Sequence, residues 1–326
     1  MYLIEIILPI LWMTTIEFLQ RIFGFRNNCK SLRQLNGQIV VITGANSGIG
    51  KETARELANR GAKIIIGCRD MSRAESAIND IKERNPMADI IAMKLDLSSV
   101  DSIHQFAKQL KKNYDTIDIL INNAGVAMQE HRQTEDGFEL VFGTNHLGHF
   151  LLTLLILPLL RRAPKARVIT VASCAYIHGS IKFDDINSLE EPYDMWSVYG
   201  QSKLANILFT RELARRLGTD SSINTYAVHP GCVHTDIGRN VSSRFQQLVI
   251  KLLGTLFLLS AESGAQTTLY CAIHEKLDRE TGGYYENCRR VKKLSPKATD
   301  DQSARRLWQL SAQLVQIEKQ FDSLFG

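Results

Sequence analysis

The sequence predicts an α/β fold, a doubly wound parallel sheet of about seven strands with helices on both faces, in a single domain behind an N-terminal hydrophobic segment. Three observations predict it. Short β-branched runs alternate with helix-patterned stretches from Gly37 onward, those runs are apolar at consecutive positions, and a glycine-rich turn joins the first run to the first helix.

At 326 residues the chain is long enough for two domains at ~150 residues each, but one α/β domain with an appendage uses the same length. Residues 1–36 read as a hydrophobic anchor with a basic linker, and 37–326 as the α/β domain. Ile, Leu, Phe, Trp and Met dominate Met1 to Gly24. Glu5 and Glu17 leave Ile6 to Ile16 as the longest uncharged stretch, shorter than the ~20 residues that cross a bilayer, and Pro9 lies within it. No basic residues precede this stretch and no small-residue cleavage pattern follows, which argues against a removable signal peptide. Arg21, Arg26, Lys30 and Arg33 come next without an acid among them, so a segment held in a membrane would leave the body on the cytosolic side. The reading is therefore an anchor that spans or lies on a membrane; the alternatives are a helix packed on the body or a partner, and a targeting peptide.

Strands are predicted at Gln38–Thr43, Lys63–Cys68, Asp89–Leu95, Ile117–Asn122, Arg167–Ala172, Ile223–Val228 and Gly283–Glu286. Between the first two, Gly50, Ala54, Leu57, Ala58 and Gly61 form a small-residue stripe suited to close packing on a sheet. A second helix runs from about Met71 to Arg84 and stops at Asn85-Pro86; a third runs from about Ser197 to Leu217 and ends at Gly218.

Composition excludes several classes. Hydrophobic residues at 44% and charged residues at 22% are ordinary for a folded body, which disfavours disorder, collagen and a polytopic membrane protein. The net charge of +5 is concentrated near residues 21–33 and 289–297 and forms no continuous stripe, so nucleic-acid binding has no support. The six cysteines, 29, 68, 174, 232, 271 and 288, contain no CxxC and read as reduced thiols, neither a zinc site nor a disulfide framework. His146 and His149 lie three apart without a carboxylate or thiolate nearby and read as structural. The run Arg289-Arg290-Val291-Lys292-Lys293 reads as solvated surface, with a lipid-headgroup contact as the alternative; Asn240-Val241-Ser242 would stay unglycosylated on a cytosolic body.

The chemistry begins at Thr43-Gly44-Ala45-Asn46-Ser47-Gly48-Ile49-Gly50, which leaves a strand and opens a helix. Glycines let backbone approach a pyrophosphate, and the helix N-terminus stabilises its charge, so Gly44, Asn46, Ser47, Gly48, Ile49 and Gly50 are read as cofactor-binding in a Rossmann-type fold. A Walker-type loop fails, because Ala45 stands where that loop needs Gly and Glu52 where it needs Ser or Thr. The second strand ends Gly67-Cys68-Arg69-Asp70. With Arg69 able to meet a 2′-phosphate and Asp70 available to cap the next helix, NADP(H) is favoured over NAD(H). Tyr199 and Lys203 stand four apart on one helix face, and an ammonium so placed would lower the phenol's pKa toward the working range of a general acid/base.

Thr43 to Gly50, Asn122-Asn123-Ala124-Gly125, Ser173 after a strand, Tyr199 with Lys203, and His229-Pro230-Gly231 together resemble the short-chain dehydrogenase/reductase family over roughly Gly37 to Trp308. Asn145 to Phe150, Ser202 to Asn206, Gly264 to Thr267 and Ala304 to Trp308 resemble its retinol dehydrogenase branch, the membrane-associated NADP(H)-dependent retinal reductases. The resemblance implies Tyr199 as proton donor or acceptor, Lys203 tuning it and bonding the nicotinamide ribose, Ser173 holding the substrate oxygen, and Asn145 holding a water between Lys203 and solvent. It puts Asp96 and Leu97 at the adenine, Asn123, Ala124 and Gly125 under the adenosine, and Val233 and Thr235, beyond Pro230 and Gly231, at the carboxamide.

The apolar run Leu248 to Leu259 follows the Pro-Gly motif, where the resembled family has its substrate flap; the other reading is a core or dimer-interface helix. The expected activity is NADP(H)-dependent interconversion of a hydrophobic aldehyde or ketone with its alcohol, retinal and retinol leading. A sterol, fatty aldehyde or xenobiotic carbonyl is the first rival, and a non-catalytic NADP(H)-binding scaffold the second. Expected partners are that small molecule and a membrane through residues 1–24, with a homodimer allowed. The endoplasmic reticulum leads over mitochondrion and lipid droplet as the compartment.

Overall fold

A computed structural model describes residues 27–128, 130–189, 192–219, 221–233, 259–318 and 324. Seven parallel strands form along the predicted runs, each within two residues of its expected ends: β1 Ile39–Thr43, β2 Lys63–Cys68, β3 Ile90–Lys94, β4 Ile119–Asn122, β5 Ala166–Val171, β6 Ile223–His229 and β7 Gly283–Glu286. An eighth, β8 Arg289–Arg290, pairs antiparallel with β7. Two residues carry no periodicity, so it could not be read in advance. The order is β3-β2-β1-β4-β5-β6-β7-β8.

Consecutive apolar positions follow from burial of both faces. Val41, Ile65, Leu120 and Val168 point to one core, while Val40, Ile42, Ile64, Ile66, Ile121 and Ile169 point to the other. The second core is covered by α1 Gly48–Asn59, α2 Met71–Arg84 and α6 Ala261–Ile273. On the first core lie α3 Val100–Asn113, α4 Leu140–Arg162, α5 Met195–Leu217 and α7 Asp301–Leu314. Asp70 caps α2 by accepting the Arg73 N–H at 3.0 Å, so it serves as the cap the sequence allowed. α4 is long and apolar enough to cross a bilayer, but it lies buried against the sheet as a core helix. Trp308 of α7 sits between Phe150 and Phe209, sealing α4 and α5.

Residues 27–36 run across the molecule. Asn27 donates through its backbone and side-chain nitrogens to Asn287 beyond β7, Ser31 donates to Glu275 at 2.8 Å, and Arg33 forms a two-pronged bond to Asp278 at 3.0 and 2.8 Å. Leu35 is buried before β1 begins. The anchor read at residues 1–24 and the apolar run of 248–258 lie outside the described residues.

Candidate active site

Strand order reverses between β1 and β4, and a crevice at the carboxyl ends of strands flanking such a point is where α/β sheets take ligands. Here a cleft of about 800 Å³ opens there, bounded by the glycine-rich turn, the β4 and β5 ends and the turn after β6. Gly44 and Gly48 adopt φ +67° and +55°. A Cβ on Gly44 would lie 2.9 Å from the Ala124 backbone, and one on Gly50 would lie 2.5 Å from Asn123 Nδ2, so the turn seats directly on the strand-four exit. Thr43 locks that seat: its hydroxyl accepts from Asn123 N–H at 2.9 Å and Ala124 N–H at 3.0 Å, while Asn123 Nδ2 donates to Thr43 O at 2.8 Å.

Asn46, Ser47, Ile49, Leu97, Gly125, Pro230 and Gly231 also line this cleft, with the α1 N-terminus aimed into it. Arg69 is largely exposed at the β2 tip, 3.8 Å from Asp96 Oδ2. Asp96 is held by the Ser98 hydroxyl at 2.6 Å and the Ser98 N–H at 2.9 Å. Glycines that a Cβ would jam, a helix N-terminus and an exposed guanidinium form a donor set that fits a dinucleotide carrying an extra phosphate.

The four catalytic candidates come from three elements. Asn145 lies in a π turn, Gly143–Leu147, at the start of α4; such turns re-aim side chains at working sites. Its carboxamide accepts from Val126 N–H at 2.8 Å and donates to Val126 O and to Ser202 Oγ, both at 3.0 Å. Lys203 is buried on α5 and donates to Val171 O at 3.1 Å. Asn145 Oδ1 and Lys203 Nζ would each lie 3.5 Å from a Cβ on Gly125. Ser173 begins the 3₁₀ turn Cys174–His178, accepts from Ala175 N–H at 3.2 Å and hydrogen-bonds the Tyr199 phenol. Gly200 packs on Gly179, a Cβ there meeting Gly179 N at 2.6 Å, which presses α5 and Tyr199 against that turn. Val233 bridges Leu259 at the cleft edge. Thr235 lies outside the described residues.

One expectation is corrected. Tyr199 is shifted up, not down: burial comes first, the Cys174 and Cys232 thiols oppose the phenolate, and the Ser173 hydrogen bond only partly offsets them. Lys203 cannot reverse this. Its Nζ stands 5.4 Å from the phenol ring centre, it is committed to Val171 O, and burial lowers its own pKa to about 8. A phenol shifted up is protonated at neutral pH, the form that donates to a carbonyl.

Sequence reasoning passed over Thr43, Ser202 and Arg73, whose partners are distant in sequence or whose place on the cleft wall depends on a helix turn. It also read Cys174 and Cys232 only as reduced thiols and gave His229 of the His229-Pro230-Gly231 motif no role, although all three line the cleft. His149 and His146 take separate structural bonds, His149 between Thr43 Oγ1 and Asn145 O and His146 to Ser311 Oγ, and burial lowers them to about 4 and about 3.

Comparisons with known proteins match this architecture. The family model for short chain dehydrogenases matches residues 38–245. Retinol dehydrogenase 12 of Homo sapiens is 46% identical over 292 residues, covering 89% of this chain and 90% of that protein. Retinol dehydrogenase 13 of Homo sapiens is 44% identical over 293 residues, covering 89% and 88%. Among solved structures, an uncharacterised protein from Mycobacterium paratuberculosis is 37% identical with a TM-score of 0.72, covering 89% of this chain and 98% of that one. The Pseudomonas aeruginosa RhlG/NADP active-site complex is 27% identical with a TM-score of 0.62, covering 78% and 95%. With its phosphate turn, its serine, tyrosine and lysine, and relatives aligned along nearly its whole length, the chain belongs to the short-chain dehydrogenase family, in the retinol dehydrogenase branch, and is an oxidoreductase that acts on CH–OH groups with a nicotinamide cofactor.

Proposed function

We propose that this protein uses NADP(H) to interconvert retinal and retinol, or a closely similar hydrophobic carbonyl and its alcohol. The observation that carries the reading is the meeting of Ser173, Tyr199 and Lys203 at the cleft, beside a turn suited to a pyrophosphate. NADP(H) over NAD(H) is supported by Arg69 standing exposed at the β2 tip where an acid would serve a 2′-hydroxyl, and by likeness to the RhlG/NADP complex. Retinal is supported by relatives named retinol dehydrogenase.

When bound, the nicotinamide supplies or accepts the hydride. The chain's residues do the rest. Ser173 Oγ and the Tyr199 phenol hold the substrate oxygen, and Tyr199 gives that oxygen its proton in reduction. Lys203 and Asn145 carry the replacement proton toward Tyr199 from the solvent side, and Lys203 also holds the nicotinamide ribose. Gly44, Asn46, Ser47, Gly48, Ile49 and Gly50 cradle the pyrophosphate; Asp96, Leu97, Asn123, Ala124 and Gly125 hold the adenosine half; Pro230, Gly231, Val233 and Thr235 hold the carboxamide. Residues 1–36 serve as a membrane anchor and linker for the domain of 37–326, at the endoplasmic reticulum with the domain in the cytosol, and a homodimer is compatible with this arrangement.

Tyr199→Phe tests the mechanism. Reduction of retinal is expected to fall to background while NADPH fluorescence titration is unchanged; equal turnover in the variant would end the reading. Parallel assays with retinal, steroid ketones and long-chain aldehydes, each with NADPH and NADH, test the substrate and cofactor.

A further inference from the structure

Two thiols flank the site and the proton-transfer chemistry uses neither. Cys174 follows Ser173 beyond β5, and Cys232 follows Gly231 beyond β6. Because Val171 pairs with Val228 in register, both segments leave the sheet at the same end, and both cysteines line the cleft there. The Cys232 thiol and the His229 imidazole stand near enough to the Cys174 thiol to act on its charge, and His229 Nδ1 accepts the Cys174 N–H at 3.4 Å. Ser173 Oγ lies 3.8 Å from Cys174 Sγ. Both thiols are half-buried and line the cleft, so a small solute that enters it reaches them. The other four lie away from the cleft's proton-transfer residues: Cys68 bonds Asp70 O, Cys288 bonds Asn27 O and Gln266 O, Cys271 is in the core, and Cys29 packs half-buried against the second core.

The Cys232 contact, followed by the His229 charge and hydrogen bond, holds Cys174 well below the usual thiol range in spite of burial. A thiolate is the nucleophilic form, and a second thiol in contact with it is the natural resolving group.

We propose that Cys174 and Cys232 form a peroxide-oxidisable dithiol, Cys174 attacking and Cys232 resolving, whose disulfide stops turnover. Cys174 Sγ attacks one oxygen of a hydroperoxide; the O–O bond breaks, an S–O bond forms, and the leaving alkoxide takes a proton to become an alcohol. Cys232 Sγ then attacks the sulfenyl sulfur; the S–S bond forms, the S–O bond breaks, and hydroxide leaves as water with the proton of Cys232. Two thiols are oxidised by two electrons and one hydroperoxide is reduced. The two thiols stand just past the ends of paired strands and line one cleft, which is the neighbourhood a bridge requires. The bridge draws Cys174 Sγ away from Ser173 and ties the wall that carries Ser173 to the turn after Gly231, so both the substrate oxygen's holder and the nicotinamide's support are displaced.

The test uses the full-length protein, reduced, desalted and exposed to hydrogen peroxide or tert-butyl hydroperoxide. Peptide mass mapping should find Cys174 joined to Cys232 with the loss of two hydrogens. Turnover should fall roughly tenfold to a hundredfold, the scale of a small misplacement at a reacting centre, and return with dithiothreitol. Cys232→Ser should stop at a dimedone-trappable sulfenic acid on Cys174. Cys174→Ser should form neither product and lose no activity to peroxide relative to its own untreated level. Equal peroxide sensitivity in Cys174→Ser, a bridge between other cysteines in its place, or a bridge that leaves both turnover and NADPH binding intact would overturn the proposal. The mass readout is independent of which carbonyl is reduced, so bridge formation in a protein inert toward retinal would count against the substrate reading alone.

Discussion

Arg69 and Lys203 are the two cations on which the proposed chemistry turns, and their surroundings differ. Arg69 is mostly exposed and loosely paired with Asp96, so it is available to a phosphate. Arg69→Ala is expected to raise KM for NADPH roughly tenfold, the size of one lost charge-assisted hydrogen bond, and to leave KM for NADH nearly unchanged. Steady-state assays with both cofactors decide it; an equal loss with NADH would assign Arg69 to the fold. Lys203, by contrast, is buried and loses its charge as pH rises through about 8. Below that value the ammonium is present, and above it the proton supply to Tyr199 fails. Reductive kcat should therefore decline above pH about 8, and Lys203→Arg, whose guanidinium does not release its proton, should lower kcat at every pH and lack that limb. A wild-type profile level to pH 10 or so would remove Lys203 from the proton path.

At the scale of elements, the site depends on backbones that touch. Gly200→Ala would push a Cβ to 2.6 Å from Gly179 N and 2.8 Å from Ala175 O. The expected cost is about 1–3 kcal/mol of stability as overpacking, read by denaturant titration, together with a fall in kcat larger than any change in NADPH affinity. Full activity in a well-folded variant would show that α5 can be reseated without moving Tyr199. These same contacts mark how far the sequence could be read. Strands β1, β2 and β4 were legible because burial on both faces leaves near-continuous Ile, Val and Leu runs, and α2 because Asp70 and Asn85-Pro86 punctuate it. α4 was not, since helical periodicity is erased where nearly every residue from Phe150 to Leu160 is buried and no polar face remains to mark a helix. In the site, Tyr199 and Lys203 were visible through their spacing, whereas the direction of the Tyr199 shift was hidden because it depends first on burial and then on charge at Cys174 and Cys232, which are set only in three dimensions.

For the whole molecule, Asp278 is the tie between the leading segment and the sheet. It accepts from Arg33 and from the buried Arg167, and Arg167 also donates to Cys271 O at 2.8 Å and His274 O at 2.9 Å. Burial works to raise its pKa, but the bonds from Arg33 and Arg167 outweigh it and hold the carboxyl at about 2, below its ordinary 3.8. A depressed carboxylate stabilises the fold above its unfolded pKa and ceases to do so as pH falls toward the folded one. Stability should thus drop between pH 3.8 and about 2, and Asp278→Asn should lose that part of the acid dependence while unfolding earlier at pH 7, since Arg167 keeps a buried charge without its counterion. Thermal melts across that interval check both outcomes; superimposable acid profiles for the two proteins would show that other carboxylates set the acid limit.

Asn27 is fastened to Asn287, just past the carboxyl end of β7, before residues 28–36 descend to the start of β1. Asn27 itself thus stands at the rim on which the cleft opens, not at the opposite pole. Were the proposed anchor to hold the chain at a surface, a chain fastened at Asn27 would meet that surface rim first, with the entrance of the cleft turned toward it.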